Sequence, residues 1–261
     1  MPTVVRDEKS SVRQFWEARP CGSVHADAPE GTADYFDQIE RRRLELEPFI
    51  ANYADFAGAR GKRLLEIGVG VGTDFVRFAR SGAAVTGVDL TERGVELVRR
   101  RLSNEGLDGD VRVADAESLP FPNDSFDRVY SWGVLHHTPD TSRAVAEAIR
   151  VLRPGGDLCV MLYGRRSWVA FAVWTRYCLL RGRPWRSLKH ALAHHMESEG
   201  TKGYTRRELE KLFERLDELR IERVATPYDR RVAGPLAAIS GRWLGWFVVV
   251  RGLAPVPNAG R

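Results

Sequence analysis

Cysteine is scarce in this chain. Cys21, Cys159 and Cys178 are scattered through 261 residues with no CxxC spacing, which excludes a disulfide framework. The three thiols are expected to serve as small core residues in a reducing cytoplasm. Long apolar runs are also missing. The two longest, residues 168–180 and 236–250, are broken by Arg176 and Arg242 and fall short of the roughly 20 apolar residues of a spanning helix. Residues 1–19 are polar and charged, without the apolar core of a secretory signal. A soluble, cytoplasmic protein is expected. No internal repeat, low-complexity tract or RNA-binding module is present, and a net charge of +5 is too modest to single out nucleic acid as a partner. Acidic side chains are absent from residues 158–196.

What is present is a composition of 43% hydrophobic and 29% charged residues, that of a globular protein with a substantial core. Residues 1–31 contain Pro20, Gly22, Pro29 and Gly31. A mobile start is expected there, then an irregular segment anchored by Phe15 and Trp16. Thr32 can cap a helix over residues 33–49, with Phe36, Ile39, Leu46 and Ile50 as its apolar stripe. Arg41, Arg42 and Arg43 interrupt it. They read either as a solvated face or as a source of one arginine reaching a carboxylate over the mouth of a site.

From Arg63 the pattern alternates strand and helix, the signature of an α/β fold with a parallel sheet. Strands are expected at residues 63–67, 84–89, 111–114, 126–131 and 157–162. Helices are expected at about 72–80, from a Thr91 cap to 105, and from an Asp140 or Thr141 cap to 152, stopped by Pro154-Gly155-Gly156. Residues 165–202 read as one or two helices rich in Trp, Phe, Leu and Arg. Thr205 starts an amphipathic helix, and residues 221–226 and 243–250 read as two more strands joined by a basic connection containing Gly and Pro.

The chain is organised around Leu64-Leu65-Glu66-Ile67-Gly68-Val69-Gly70-Val71-Gly72-Thr73-Asp74: a buried strand, a glycine-rich turn and a helix start. Such a turn uncovers backbone amides for a ligand. Its G-x-G-x-G spacing, with Thr73 at the third position of a dinucleotide fingerprint, separates cofactors weakly. Charge separates them better. Glu66, Asp89, Asp115 and Glu117 all fall at strand C-terminal ends, where a doubly wound sheet places its ligand. These carboxylates suit a sulfonium and an ammonium group, and would repel a pyrophosphate. Asp89 is placed to accept ribose hydroxyls, and Asp115 the adenine amino group. S-adenosylmethionine is the cofactor this pattern favours over NAD.

Leu65-Glu66-Ile67-Gly68-Val69-Gly70-Val71-Gly72 resembles the first motif of class I S-adenosylmethionine-dependent methyltransferases. Gly87-Val88-Asp89-Leu90 resembles their second-strand acidic motif. The segments 114–121, Ser125-Phe126-Asp127, 131–137 and 150–156 continue the series. The order is most similar to the quinone-biosynthesis and small-molecule branch, over about residues 62–163. The resemblance implies a doubly wound, Rossmann-like, mostly parallel seven-stranded sheet with an antiparallel last strand. It also implies a cofactor site of Glu66, Gly68, Gly70, Gly72 and Thr73 at the turn, Asp89 on ribose and Leu90 on the adenine face. Asp115, Ala116 and Glu117 would lie at adenine, with Ser131 and Trp132 on the sulfonium side and His136 near them. Residues 1–61 are then an N-terminal helical cap and 62–261 the methyltransferase domain, with 165–202 a helical acceptor lid.

Methyl transfer from a sulfonium is an in-line displacement that asks chiefly for alignment and exclusion of water. His136 and His137 are the candidate bases, since imidazole titrates near neutrality; the alternative is that a ring of this pair packs structurally. His190 and His194 lie four apart, but no ligand set for a metal is expected. A basic, aromatic lid suits a small aromatic or anionic acceptor, with Tyr35, Arg42 and Trp168 as acceptor-side candidates. Two alternatives stand beside this reading. One is a membrane-associated quinone or lipid methyltransferase in shallow contact with anionic lipid through residues 165–190. The other is a non-catalytic S-adenosylmethionine-binding protein.

Overall fold

In the first strand, β1 (Arg63–Ile67), every residue after Arg63 is buried, as expected of a central parallel strand covered on both faces. It pairs in parallel with β2 (Ala84–Asp89) and β4 (Phe126–Trp132), and β2 pairs with β3 (Asp110–Val113). β5 (Leu152–Tyr163) pairs in parallel with β4. β7 (Phe247–Leu253) lies antiparallel between β5 and β6 (Asp217–Val224). The sheet order is β3-β2-β1-β4-β5-β7-β6, the doubly wound, mostly parallel sheet with an antiparallel last strand that the sequence implied. The computed structural model describes residues 8–256; residues 1–7, part of the start expected to be mobile, lie outside the described residues.

The helices in chain order are α1 (Glu8–Ala18), α2 (Ala33–Leu46), α3 (Ile50–Ala54), α4 (Thr73–Arg80), α5 (Glu92–Glu105), α6 (Thr141–Arg150), α7 (Trp168–Trp174), α8 (Leu188–His195), α9 (Arg206–Leu212), α10 (Pro227–Ala233) and α11 (Leu236–Leu244). Caps set several boundaries. The Thr32, Thr91 and Asp140 side chains accept from the backbone N–H three residues on, and Thr205 and Thr226 form capping boxes with Glu208 and Asp229.

Three expectations change. Residues 8–18 are helical, not irregular: Glu17 accepts from the N–H groups of Glu92 and Arg93 at the start of α5, and Val12 is buried. Pro154-Gly155-Gly156 does not end the element before β5; it lies inside it. Gly155 N–H donates to Ala254 and Ala254 N–H to Gly156, so the strand runs through the segment. The connection before β7 is helical: Pro227 at the first turn and the Thr226 cap start α10, and α11 takes residues expected to open the last strand.

α2 is fixed on α5 by a fully buried arginine. Arg101 pairs with Glu40 and Glu105, and its guanidinium lies 5.3 Å from the Phe36 ring centroid. This contact sets α2 over the C-terminal ends of β1 and β2, beside the glycine turn.

Candidate active site

At the C-terminal ends of β1, β2 and β4 lies a cavity of about 220 Å³. Its floor is the glycine turn, where φ is +82° at Gly68 and +53° at Gly70. This left-handed backbone favours glycine. A Cβ on Gly68 would come within 2.2 Å of Val134, whereas one on Gly70 would meet only Cys21, at 3.7 Å, inside the cavity. Gly68 is thus required for packing, and Gly70 keeps the cavity open.

Asp89 Oδ2 accepts from the Gly70 N–H at 2.9 Å, and Oδ1 accepts from the Thr91 N–H and hydroxyl at 2.9 and 2.6 Å. The carboxylate therefore locks the turn to the end of β2 and retains little acceptor capacity for a ribose. Asp115 Oδ1 accepts from the Glu117 N–H, and Lys9 Nζ lies 2.6 Å from both Asp115 Oδ2 and Glu117 Oε2. Lys9, Val12 and Trp16 line the cavity, so α1 closes it from above.

At the other end stands a buried polar group. Asp74 Oδ2 accepts from Arg43 Nη2 and from the Tyr130 hydroxyl, each at 2.9 Å. Glu47 Oε2 accepts from Trp132 Nε1 at 2.8 Å, and its other oxygen lies 3.6 Å from Arg43. Glu66 is different: it lines the cavity, is 4% exposed, and its Oε2 has no partner. Burial, with Asp74 and Asp89 nearby, holds its carboxyl well above the usual carboxylate range. A cationic group on a ligand would meet that unpaired oxygen. The ammonium of S-adenosylmethionine fits this demand, and a phosphate does not.

Of the two histidines, His137 lines the cavity and His136 does not. His136 is fully buried against Tyr163, with ring centroids 3.8 Å apart, and neither of its nitrogens has a partner. The Thr201 hydroxyl donates to the Ser198 carbonyl at 2.7 Å, so toward His137 Nδ1, 3.1 Å away, it can only accept. Ser198 Oγ lies 2.8 Å from the same nitrogen. With the proton on Nδ1, which both hydroxyls can accept, Nε2 is left as a bare lone pair. Trp16 packs edge-on over the ring at 5.2 Å, and burial pushes the imidazole down to about 3. Cys21, an exposed free cysteine, also lines the cavity.

The structure gathers Glu66, Gly68, Gly70, Thr73, Asp89, Leu90, Asp115, Ala116, Glu117, Trp132 and His137 on one cavity wall. Gly72 lies one step below it, packed on Val98. Ser131 is turned away, its hydroxyl donating to Ile67 O at 3.0 Å. The three acceptor-side candidates lie elsewhere. Tyr35 is buried with Phe36, Ile39, Val71 and Leu97; Arg42 is exposed and paired with Glu45; Trp168 donates to Ser240 Oγ at 2.8 Å. Nor does any residue of 165–202 line the cavity. Instead this segment supplies Ser198 and Thr201, which hold His137.

Sequence reasoning passed over Lys9, Glu47 and Tyr228, which line the cavity. Of the three arginines of α2 it took Arg42 as the acceptor-side candidate, whereas Arg43 is the one that reaches a carboxylate there, that of Asp74. Helical spacing carried one available signal. Arg43 follows Ile39 by four and precedes Leu46 by three, which puts it, and not Arg42, on the buried face.

Residues 65–160 match a family described as a methyltransferase domain. Methyltransferase GfsG of Streptomyces halstedii is 38% identical over 136 residues, 50% of this chain and 48% of that protein. The 27-O-demethylrifamycin SV methyltransferase of Amycolatopsis mediterranei is 42% identical over 103 residues, 38% of each chain. The phthiotriol/phenolphthiotriol dimycocerosates methyltransferase of Mycobacterium leprae is 45% identical over 124 residues, 47% of this chain and 44% of that one. The matches thus span about half or less of these relatives. Among solved structures, the [4+2]-cyclase SpnF superposes with a TM-score of 0.63 at 20% identity, covering 95% of this chain and 97% of that one. An S-adenosylmethionine-dependent methyltransferase of Thermotoga maritima gives 0.57 at 21%, covering 93% and 99%. Residues 65–160 are thus a methyltransferase domain, and with its sheet order and glycine turn the chain has the fold of the class I S-adenosylmethionine-dependent methyltransferases.

Proposed function

We propose that this protein transfers a methyl group from S-adenosylmethionine to a hydroxyl of a small, largely apolar acceptor. The observation that carries the reading is that two side chains lining the cavity, Glu66 and His137, each hold an unpartnered buried atom, Oε2 and Nε2. Glu66 and the glycine turn would hold the methionine end, and Leu90, Asp115 and Ala116 the adenine end. When bound, the cofactor supplies a methyl on a sulfonium that an in-line nucleophile can take. His137 Nε2 would accept a hydrogen bond from the acceptor hydroxyl and align its oxygen behind the methyl, with Ser198 and Thr201 holding the ring at Nδ1. Trp16, Ile39, Leu46 and Tyr228 give the cavity an apolar, partly aromatic lining.

The aromatic half of the sequence-based expectation draws support from this lining. The anionic half does not: Arg43 is held by Asp74 and Glu47, and Lys9 by Asp115 and Glu117. The printed names of two relatives point to a rifamycin and to phthiotriol lipids as acceptors for those proteins. A binding protein without transfer is the competing reading.

The test is transfer of label from methyl-labelled S-adenosylmethionine to hydroxylated apolar compounds and lipid extracts. Label recovered as an ether in an organic-extractable product supports the proposal. Retention of all label on the cofactor, in a protein that binds S-adenosylhomocysteine, favours the non-catalytic reading.

A further inference from the structure

The apolar residues of α11 face outward. Leu236, Ile239 and Trp243 stand at i, i+3 and i+7, on one stripe, and are 59%, 73% and 57% exposed. The opposite face carries buried Ala237 and Gly241, with Gly241 packed closely on Ala225. A helix covering a core in water has the reverse arrangement. α11 adjoins α10, which also packs on α7, and Trp168 of α7 hydrogen-bonds Ser240 of α11. Beyond α7 the chain exposes Leu180 and Trp185, at 76% and 78%.

The same two segments are basic. Residues 165–196 hold no carboxylate, and residues 227–246 hold only Asp229, which is buried beneath the α10 cap. Exposed Arg176, Arg181, Arg183, Arg230, Arg231 and Arg242 form no ion pair among the described residues. The Arg242 guanidinium lies 3.8 Å over the Trp243 ring, a cation beside an aromatic at the edge of the stripe.

We infer that α11 and the segment following α7 dock on an anionic phospholipid surface. The stripe requires an apolar phase and the arginines an anionic partner, and a lipid headgroup layer over acyl chains provides both. A second copy of this chain on the same face would set arginine against arginine, with no carboxylate to answer them. α10 joins this face to the cavity, since its Tyr228 is on the cavity wall. The face thereby lies next to the site where a membrane-dissolved acceptor would be used. That last link rests on the function proposed above; the docking does not.

The test is co-sedimentation with vesicles of phosphatidylcholine and phosphatidylglycerol in equal parts, and with phosphatidylcholine alone. S-adenosylhomocysteine binding is followed in parallel by calorimetry. The expected result is binding to the anionic vesicles only, weakened by salt. The double variant Ile239→Glu, Trp243→Glu, altered at exposed positions, should bind vesicles about tenfold or more weakly with unchanged S-adenosylhomocysteine affinity. Equal binding to neutral vesicles, no vesicle binding, or an undiminished variant overturns the inference. So does a solution dimer abolished by the same substitutions, which would assign the face to a second copy. Absence of S-adenosylhomocysteine binding in the unaltered protein would fail the methyl-donor reading and leave the vesicle result to stand by itself.

Discussion

Ser198 holds His137 by one ring nitrogen: its Oγ lies 2.8 Å from Nδ1, and Nε2 on the far side of the ring has no partner. If Nε2 aligns the acceptor hydroxyl, His137→Gln should lower kcat about 10–100-fold with the S-adenosylhomocysteine affinity within about threefold of the unaltered protein. Ser198→Ala should fall between, since Thr201 still faces Nδ1. Steady-state kinetics with an acceptor that takes up the label would check both. Equal rates for His137→Gln and the parent would remove the histidine from the chemistry.

Acid stability provides a second reading of the same ring. Burial, with the Lys202 cation adding to it, holds the folded imidazole at about 3, against an ordinary value of about 6.5 in the unfolded chain. Between those values the unfolded chain binds a proton that the folded protein refuses. Stability is therefore full above about pH 6.5 and falls with pH through the window, at up to about 1.4 kcal/mol per pH unit. Glu66, Glu47 and Asp89 are all raised, chiefly by burial, and act in the opposite sense, losing stability as pH rises. Comparing His137→Gln with the parent isolates the histidine. Urea midpoints measured from pH 7 to pH 5 should drop less in the variant. Parallel curves would contradict the assigned shift.

Removal of the Trp16 ring uncovers the cavity and His137 together. Trp16→Ala should speed S-adenosylhomocysteine release severalfold and move the His137 imidazole toward about 6.5. Stopped-flow release and the pH titration of the ring resonances by NMR would report the two effects. A faster release without movement of the imidazole would mean that α1 gates the cavity without covering the histidine.

The Arg101 guanidinium is fully buried between Glu40, Glu105 and Thr73. Arg101→Ala leaves Glu40 and Glu105 with Arg80 as their remaining partner and a void in place of the guanidinium, and should cost about 2–3 kcal/mol in chemical denaturation. A loss below about 1 kcal/mol would show that α2 is held by its apolar face alone.

Much of the sheet was legible in the sequence, for a physical reason. β1 and β2 fall at the expected residues 63–67 and 84–89, because centrally buried parallel strands are short apolar runs ended by glycine or an acid. The cavity wall at those strand ends was legible too, through Glu66, Asp89 and Asp115. α1 was not. Its sequence has only Val12 buried, and its contacts, Lys9 to Asp115 and Glu117 and Glu17 to the start of α5, join residues more than 70 positions apart. α11 misled in another way: residues 236–242 were read as a connection and Trp243-Leu244 as the opening of the last strand, because nothing local reveals a helix whose apolar side faces outward. Arg42 failed to reach the cavity for lack of helical register, since one step along α2 separates Arg42, paired with Glu45, from Arg43, paired with Asp74 at the cavity.

Which ligand the glycine turn holds is decided by Glu66, whose buried, raised and unpaired carboxylate lines the cavity. Calorimetric titration of the parent and of Glu66→Gln, with S-adenosylhomocysteine and with NAD, measures that directly. The parent should bind S-adenosylhomocysteine with release of a proton from Glu66, and more tightly as pH rises until the ligand's own ammonium deprotonates. Glu66→Gln should bind about 10–100-fold more weakly, the value of a hydrogen bond to a charged group, and NAD should not bind. Unchanged affinity in Glu66→Gln, or NAD binding as tightly as S-adenosylhomocysteine, would contradict a methyl-donor pocket selected by its carboxylates.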